Sequence, residues 1–501
     1  MDAMEVRFVD TTFRDGSQSL WASGMRTGMI EAVAEEVAQA GFDVVEVPFN
    51  PIFIKKFVRD LKEDPWEMGR RVARKMPHAV KACMGGGGVG TMGRYSPKAL
   101  ARLFNERIFA NGILNRFQMF ANTAGQMDSQ FPWAIPMCKE IGFQVAIALS
   151  YALSPRHTDE YYAKTMRRAL EFKPDVIYME DQCGVLTLDR ARTLFPVLVE
   201  NANGMPLEFH AHCTTGLAPL IYLEALKFGI RTLHTAIPPL AEGPGQPSVF
   251  SIVRNARLLG FTPAIDETVL HPVEERLTAI AQQEKLPIGA PLPYDYAQYI
   301  HQMPGGVISN LQHQLAELGI QHRLDEVLDE TVQVRKELGY PIMITPYSQY
   351  VSTQAAINVA VGERYKFVLD EVIQLARGAY GDDSGYTWMD QDLKDKLLSL
   401  PRAAELAARN IRELSLEEIR STLGGTGVSD EELLLRYVME GEREIEAMRA
   451  AGPPKQYFTG DLPLVTLLQE LDKNDSVRYI HVQRGSDALM LHRGSAAAAE
   501  Q

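Results

Sequence analysis

VRFVDTTFRDGSQSL, residues Val6–Leu20, passes from an apolar strand pattern straight into a polar turn built of Thr, Arg, Asp, Gly and Ser. A later stretch, FHAHCTTGLAP at Phe209–Pro219, makes the same transition. Alternate residues of a strand face the same way, so His210 and His212 share one side. If both strands belong to one parallel barrel, their C-terminal ends converge on a single mouth. Asp15, read here as standing at the end of the first strand, then joins His210 and His212 as candidate ligands of one divalent cation. A His-x-His pair taken alone is more often a surface or hydrogen-bonded strand pair than a ligand set. The surrounding chain has to decide between the two.

Working outward, strand-like apolar runs recur at Val6–Val9, Val44–Val47, Ala79–Ala82, Arg116–Phe120, Val145–Leu149, Val176–Met179, Leu207–Phe209 and Thr232–Ala236. Between them lie helical patterns such as MIEAVAEEVAQAGF (Met29–Phe42) and YYAKTMRRALEFKP (Tyr161–Pro174). Eight strands alternating with helices predict an α/β fold of the (β/α)8 TIM-barrel type. Polar or glycine-rich segments follow several strands, at Thr11–Gln18, Gly85–Gly90, Glu180–Gly184 and Ala241–Gln246. In such barrels the loops after the strands carry the chemistry, although any one of them is equally well a plain turn.

At 501 residues the chain exceeds one ordinary domain, and a barrel of roughly 250 residues with a second unit is a natural division. The barrel is expected over 1–265. From there to 455 the pattern turns mostly helical, with breaks at Pro304–Gly306 and Gly339–Pro341, and predicts a helical second domain. Residues 456–501 read as an extended arm, a small hairpin from VRYIHV and DALMLHR, and a disordered tail, GSAAAAEQ. The sequence has no apolar stretch near the roughly 20 residues that span a bilayer and no leader-like start, so a cytoplasmic protein without membrane insertion is expected. Four cysteines without a CxxC pair agree with a reducing compartment. A net charge of −13 argues against nucleic acid as a partner.

A family resemblance rests on longer segments. LSYALSPRHTDEYYAKT, IYMEDQCGVLT, FHAHCTTGLAP and AEGPGQPS resemble successive barrel segments of the biotin-dependent carboxyltransferases: pyruvate carboxylase, the oxaloacetate decarboxylase alpha subunit and the transcarboxylase pyruvate subunit. HQMPGGVISNLQHQL, LDEVLDETVQVRKELGYPIMITPYSQYVSTQAAINV and GERYK resemble the helical domain that caps the barrel mouth in that family, which implies the same cap for residues 266–455 here. The resemblance implies that Asp15, His210 and His212 bind a divalent metal ion (Zn, Mn, Co or Mg) and that Arg14 and Gln18 lie beside the substrate. It also implies a small carboxylic or 2-oxo acid substrate, a biotin carrier or carboxylase subunit as partner, and a homodimer. No MKM-type lysine stands near the C-terminus, so biotin is expected only on a separate partner.

Three departures stand out. Where the family has a lysine whose carbamylated amine ligates the metal, this chain has Glu180, which offers an anionic oxygen on a shorter stem and reaches the metal directly or through a water. Where relatives have a threonine that shuttles a proton between biotin and substrate, Pro244 has no hydroxyl. An arginine that holds the substrate carboxylate is replaced by Met84 in the simplest alignment, next to the flexible run Gly85–Gly88. Substitutes for the proton shuttle are Cys213, Thr214, His234 and a metal-bound water. Three functions follow. The first is a divergent metal-dependent carboxyltransferase that makes, moves or breaks a carboxyl group next to a carbonyl through a metal-stabilised enolate. The second is an aldol- or Claisen-type lyase or synthase, which the RDG-x-Q form of the first motif also resembles. The third is a non-catalytic scaffold subunit. On this reading Glu180→Lys alone does not restore carboxyl transfer to pyruvate, because Pro244 still blocks the proton path; oxaloacetate made from carboxybiotin by that variant would refute it.

Overall fold

The computed structural model describes residues 4–85, 88, 96–120, 123–317, 319–381, 387–409, 412–457, 471, 476–484 and 487–492. Eight strands form the barrel: β1 Glu5–Asp10, β2 Val44–Glu46, β3 Lys81–Met84, β4 Arg116–Phe120, β5 Gln144–Ser150, β6 Val176–Asp181, β7 Leu207–Ala211 and β8 Thr232–Thr235. All neighbouring pairs are parallel, and the order β2 to β8 is closed by β1, which pairs with both β8 and β2. Strands covered on both faces must be apolar on both. β2 and β6 are buried at every position; each opens on apolar residues, Val44–Val45 and Val176–Met179, and ends on buried carboxylates, Glu46 in β2 and Glu180 and Asp181 in β6.

The helices between strands are set by their caps. Thr158 and Thr187 each receive a backbone N–H of the first turn, opening Asp159–Glu171 and Leu188–Asn201. Acidic residues fill both first turns, where the helix dipole favours them. The registers put β5 Ser150, β6 Glu180 and β7 His210 level with one another near the C-terminal end of the barrel. The row therefore faces one way, toward the lumen that Ala148 and Tyr178 line below it.

The expected helical region follows, from Glu267–Glu284 through Gly305–Glu317, Leu324–Glu337 and Tyr347–Val361 to Arg443–Ala450. It is bolted to the loops at the C-terminal end of the strands. The Gln302 amide accepts from Leu153 N–H at 3.0 Å and donates to Leu153 C=O at 2.7 Å, while Cys183 Sγ donates to Gln302 C=O at 3.0 Å. By its contacts the chain divides into two compact units, Met1–Lys455 and Gln456–Gln501, so barrel and helical layer form one body. In the second unit Tyr479–Arg484 pairs antiparallel with Asp487–His492, the hairpin read from the sequence. The tail expected to be disordered and most of the Gly85–Gly90 loop lie outside the described residues. Among the described residues no helix is long and apolar enough to cross a membrane.

Candidate metal centre

Asp15 does not stand at the strand end. β1 stops at Asp10 and the chain winds into a helical turn, Thr12–Gly16, which lifts Asp15 over the mouth. His210 is in β7, and His212 lies one residue past its end. The three nevertheless converge: Asp15 Oδ2 is 3.1 Å from His210 Nε2 and 3.5 Å from His212 Nε2, and the two imidazole nitrogens are 3.3 Å apart. All three side chains are buried. Among the described residues this is the one group of three or more His, Cys, Asp or Glu whose ligand atoms lie within 4.8 Å of one another.

The imidazoles are turned to present Nε2. His212 Nδ1 lies 2.6 Å from Pro244 C=O, an acceptor only, so Nδ1 carries the proton there. Gly184 sits at φ +63°, and a Cβ at this position would collide with the His212 carbonyl oxygen. Gln246, which sequence reasoning passed over, projects its Nε2 to 3.1 Å from Asp15 Oδ2, 3.2 Å from His210 Nε2 and 3.1 Å from His212 Nε2. A neutral amide donor thus stands where a converging carboxylate and two imidazoles call for positive charge. One carboxylate and two imidazole nitrogens fit a divalent transition metal or Zn2+.

Arg14 is held by a residue that no local motif singles out. Its Nε and Nη2 donate to both oxygens of Glu46 on β2, at 2.8 and 2.7 Å, and its Nη1 reaches Asp15 Oδ2 at 3.5 Å. The guanidinium fork is therefore engaged by protein and orients Asp15. Gln18 is exposed on the turn Ser17–Leu20. Thr214 donates its hydroxyl to Cys183 C=O, and the Cys213 thiol is buried. Glu180 lies outside the ligand triangle; it is buried, and its Oε2 has no hydrogen-bond partner.

Burial would raise the Asp15 carboxyl, but Arg14 and His212 outweigh it and hold Asp15 well below the usual carboxylate range. Burial pushes His210 down to about 3, whereas Asp15 overrides burial at His212 and raises it. Glu180 is pushed up to about 8 by burial and then by the Asp15 charge. Burial also drives the thiols upward, Cys83 and Cys138 to about 12 and Cys183 and Cys213 further.

Residues 5–277 match the HMGL-like family model and residues 299–461 the conserved carboxylase domain model. A pyruvate carboxylase subunit of Methanocaldococcus jannaschii is 34% identical over 75% of this chain and 66% of its own length. The like-named subunit of Methanothermobacter thermautotrophicus is 30% identical over 92% and 82%. The 2-oxoglutarate carboxylase large subunit of Hydrogenobacter thermophilus is 32% identical over 86% and 66%. The chain thus spans just under two thirds of two of these relatives. The carboxyl transferase domain of Rhizobium etli pyruvate carboxylase, solved with pyruvate and biocytin, superposes with a TM-score of 0.78 at 23% identity over 98% of this chain and 84% of that one, a likeness of fold.

The protonation of Glu180 should be visible in stability. In the unfolded chain Glu180 titrates near 4.5, and in the folded chain near 8. Between those values the folded state binds the extra proton, so stability falls as pH rises through this window and levels off above 8. Glu180→Gln mimics the protonated acid. Urea unfolding of chelator-treated protein is expected to show the two chains equal at pH 4 and the variant ahead by on the order of a few kcal/mol at pH 9.

Proposed function

The chain belongs to the pyruvate carboxylase family, with an HMGL-like barrel joined to a conserved carboxylase domain, and on that premise we propose that it transfers a carboxyl group to or from the carbon next to a carbonyl, on a 2-oxo acid or related small acid. The observation that carries this reading is the convergence of Asp15, His210 and His212 at the C-terminal end of the barrel. A divalent cation held there supplies Lewis acidity to the carbonyl oxygen of a substrate. Biotin is brought by a separate carrier or carboxylase subunit, the working unit is a homodimer, and the protein acts in the cytoplasm.

The chain's own residues divide the remaining work. Arg14, clamped by Glu46, fixes the Asp15 carboxylate. His210 and His212 present Nε2, each with its other nitrogen engaged by protein. Thr214 is committed to a backbone carbonyl and Cys213 is buried, so neither is suited to replace the hydroxyl lost at Pro244. Glu180 is suited. Its Oε2 has no hydrogen-bond partner, and the residue stands level with His210 on the neighbouring strand, where a carboxyl can hold and pass a proton. The aldol- or Claisen-type alternative uses the same centre. The carboxylase-domain match over 299–461 favours carboxyl transfer, and a pure scaffold leaves the buried triad without a purpose.

Elemental analysis of the purified protein is expected to find about one divalent ion per chain, and His210→Ala to lose both the ion and carboxyl transfer, by about a thousandfold. Transfer would be measured from a carboxybiotinylated carrier to a panel including pyruvate, 2-oxoglutarate and acyl-CoA thioesters; full activity in metal-stripped protein would sink the proposal. Glu180→Gln should keep the ion and lose turnover by about 100-fold. Loss of the ion instead would make Glu180 a ligand.

A further inference from the structure

Beneath the triad, the barrel lumen holds a chain of charged and polar groups that runs from strand to strand. Arg116 on β4 donates through Nη1 and Nη2 to the two oxygens of Glu208 on β7, at 3.0 and 2.6 Å. Glu208 Oε2 also lies 2.9 Å from His234 Nε2 on β8. His234 Nδ1 in turn lies 3.1 Å from His210 Nδ1. All four side chains are buried.

The proton placement along this chain follows from donor and acceptor inventories. Glu208, an ionised partner of Arg116, can only accept, so His234 Nε2 carries a hydrogen. With Nε2 committed to Glu208, His234 Nδ1 is the ring nitrogen left to accept. The facing His210 Nδ1 must then be the donor. That leaves the His210 lone pair on Nε2, the nitrogen that points at Asp15. Asp15 Oδ2, also an acceptor only, lies 3.1 Å from the same nitrogen, so the hydrogen stays on Nδ1 only because His234 claims it there.

We propose that Arg116, Glu208 and His234 are positioning residues that fix the tautomer and orientation of His210, so that a carboxylate two residues before His210 on β7, held from across the lumen by Arg116, sets the affinity of the mouth for a divalent cation. The proposal rests on the reading of Asp15, His210 and His212 as cation ligands. Partners of this kind typically change metal affinity by about 10- to 100-fold when removed.

The test compares Mn2+ binding by calorimetry in the full chain and its variants, alongside the melting temperature of each metal-free protein. His234→Phe keeps a ring in the core and leaves the Arg116–Glu208 pair whole, and it should weaken Mn2+ by about 10- to 100-fold. His234→Asn, whose side-chain oxygen takes the place of Nδ1 as acceptor, should recover most of that loss. Glu208→Gln should weaken Mn2+ by a similar factor, and His234→Phe provides the reading if that variant does not fold. Binding by His234→Phe within twofold of the parent, or equal weakness of the Phe and Asn variants, would overturn the proposal. Long-range 15N–1H spectra of the histidine rings in the metal-free parent give a second reading. His210 protonated on Nδ1 supports the chain as drawn, and a proton on Nε2 refutes it. If the parent took up no Mn2+ the metal reading would fall, and these spectra would still decide whether the positioning chain exists.

Discussion

The Arg116–Glu208 pair is the constraint on which the site depends. Two strands, β5 and β6, separate its partners on the barrel wall, so the ion pair crosses the lumen instead of running along the sheet. Both side chains are almost wholly removed from water, and a buried pair of this kind gains little net stability over well-packed apolar residues. Removing one partner, in contrast, strands a charge and typically costs about 3–5 kcal/mol. What the pair secures is geometry. Glu208 is held down to about 2 because Arg116 and His234 outweigh its burial, so its acceptor character is fixed throughout the physiological range.

A second ion pair, Arg14 with Glu46, repeats the arrangement at the mouth. It ties the helical turn after β1 to β2, and it does so within one residue of Asp15. The centre is thus supported from two directions by arginine–carboxylate forks. Between them the ligand atoms have little freedom to move apart, and their mutual repulsion has to be answered by a cation, a proton or the Gln246 amide.

The barrel is legible in the sequence because parallel strands sheathed by helices are apolar on both faces, and each of the eight runs falls within two residues of its strand. The third is displaced by two residues, Ala79–Ala82 against Lys81–Met84, and the lysine inside it is buried because it spends its charge on the Met76 and Ala79 carbonyls. The ligand triad is legible from local motifs and the family resemblance. Its supports are not. Glu208 and Arg116 are 92 residues apart, and Arg14 and Glu46 are 32 apart. Nothing in either local pattern marks a charged residue inside an apolar run as the partner of another. Gln246 sits inside a motif whose reading turns on its missing threonine. That Glu180 is not grouped with the three converging ligand atoms is a matter of side-chain placement, which spacing does not encode.

The four cysteines carry a different consequence. All are buried, and each thiol is held in its protonated, poorly nucleophilic form. Cys83 and Cys213 flank the barrel mouth on β3 and just after β7, and Cys183 anchors the helical layer. Alkylating reagents and peroxides must wait for these regions to open, so the rate of thiol capture becomes a clock for the breathing of the fold, with Cys183 timing the release of the cap.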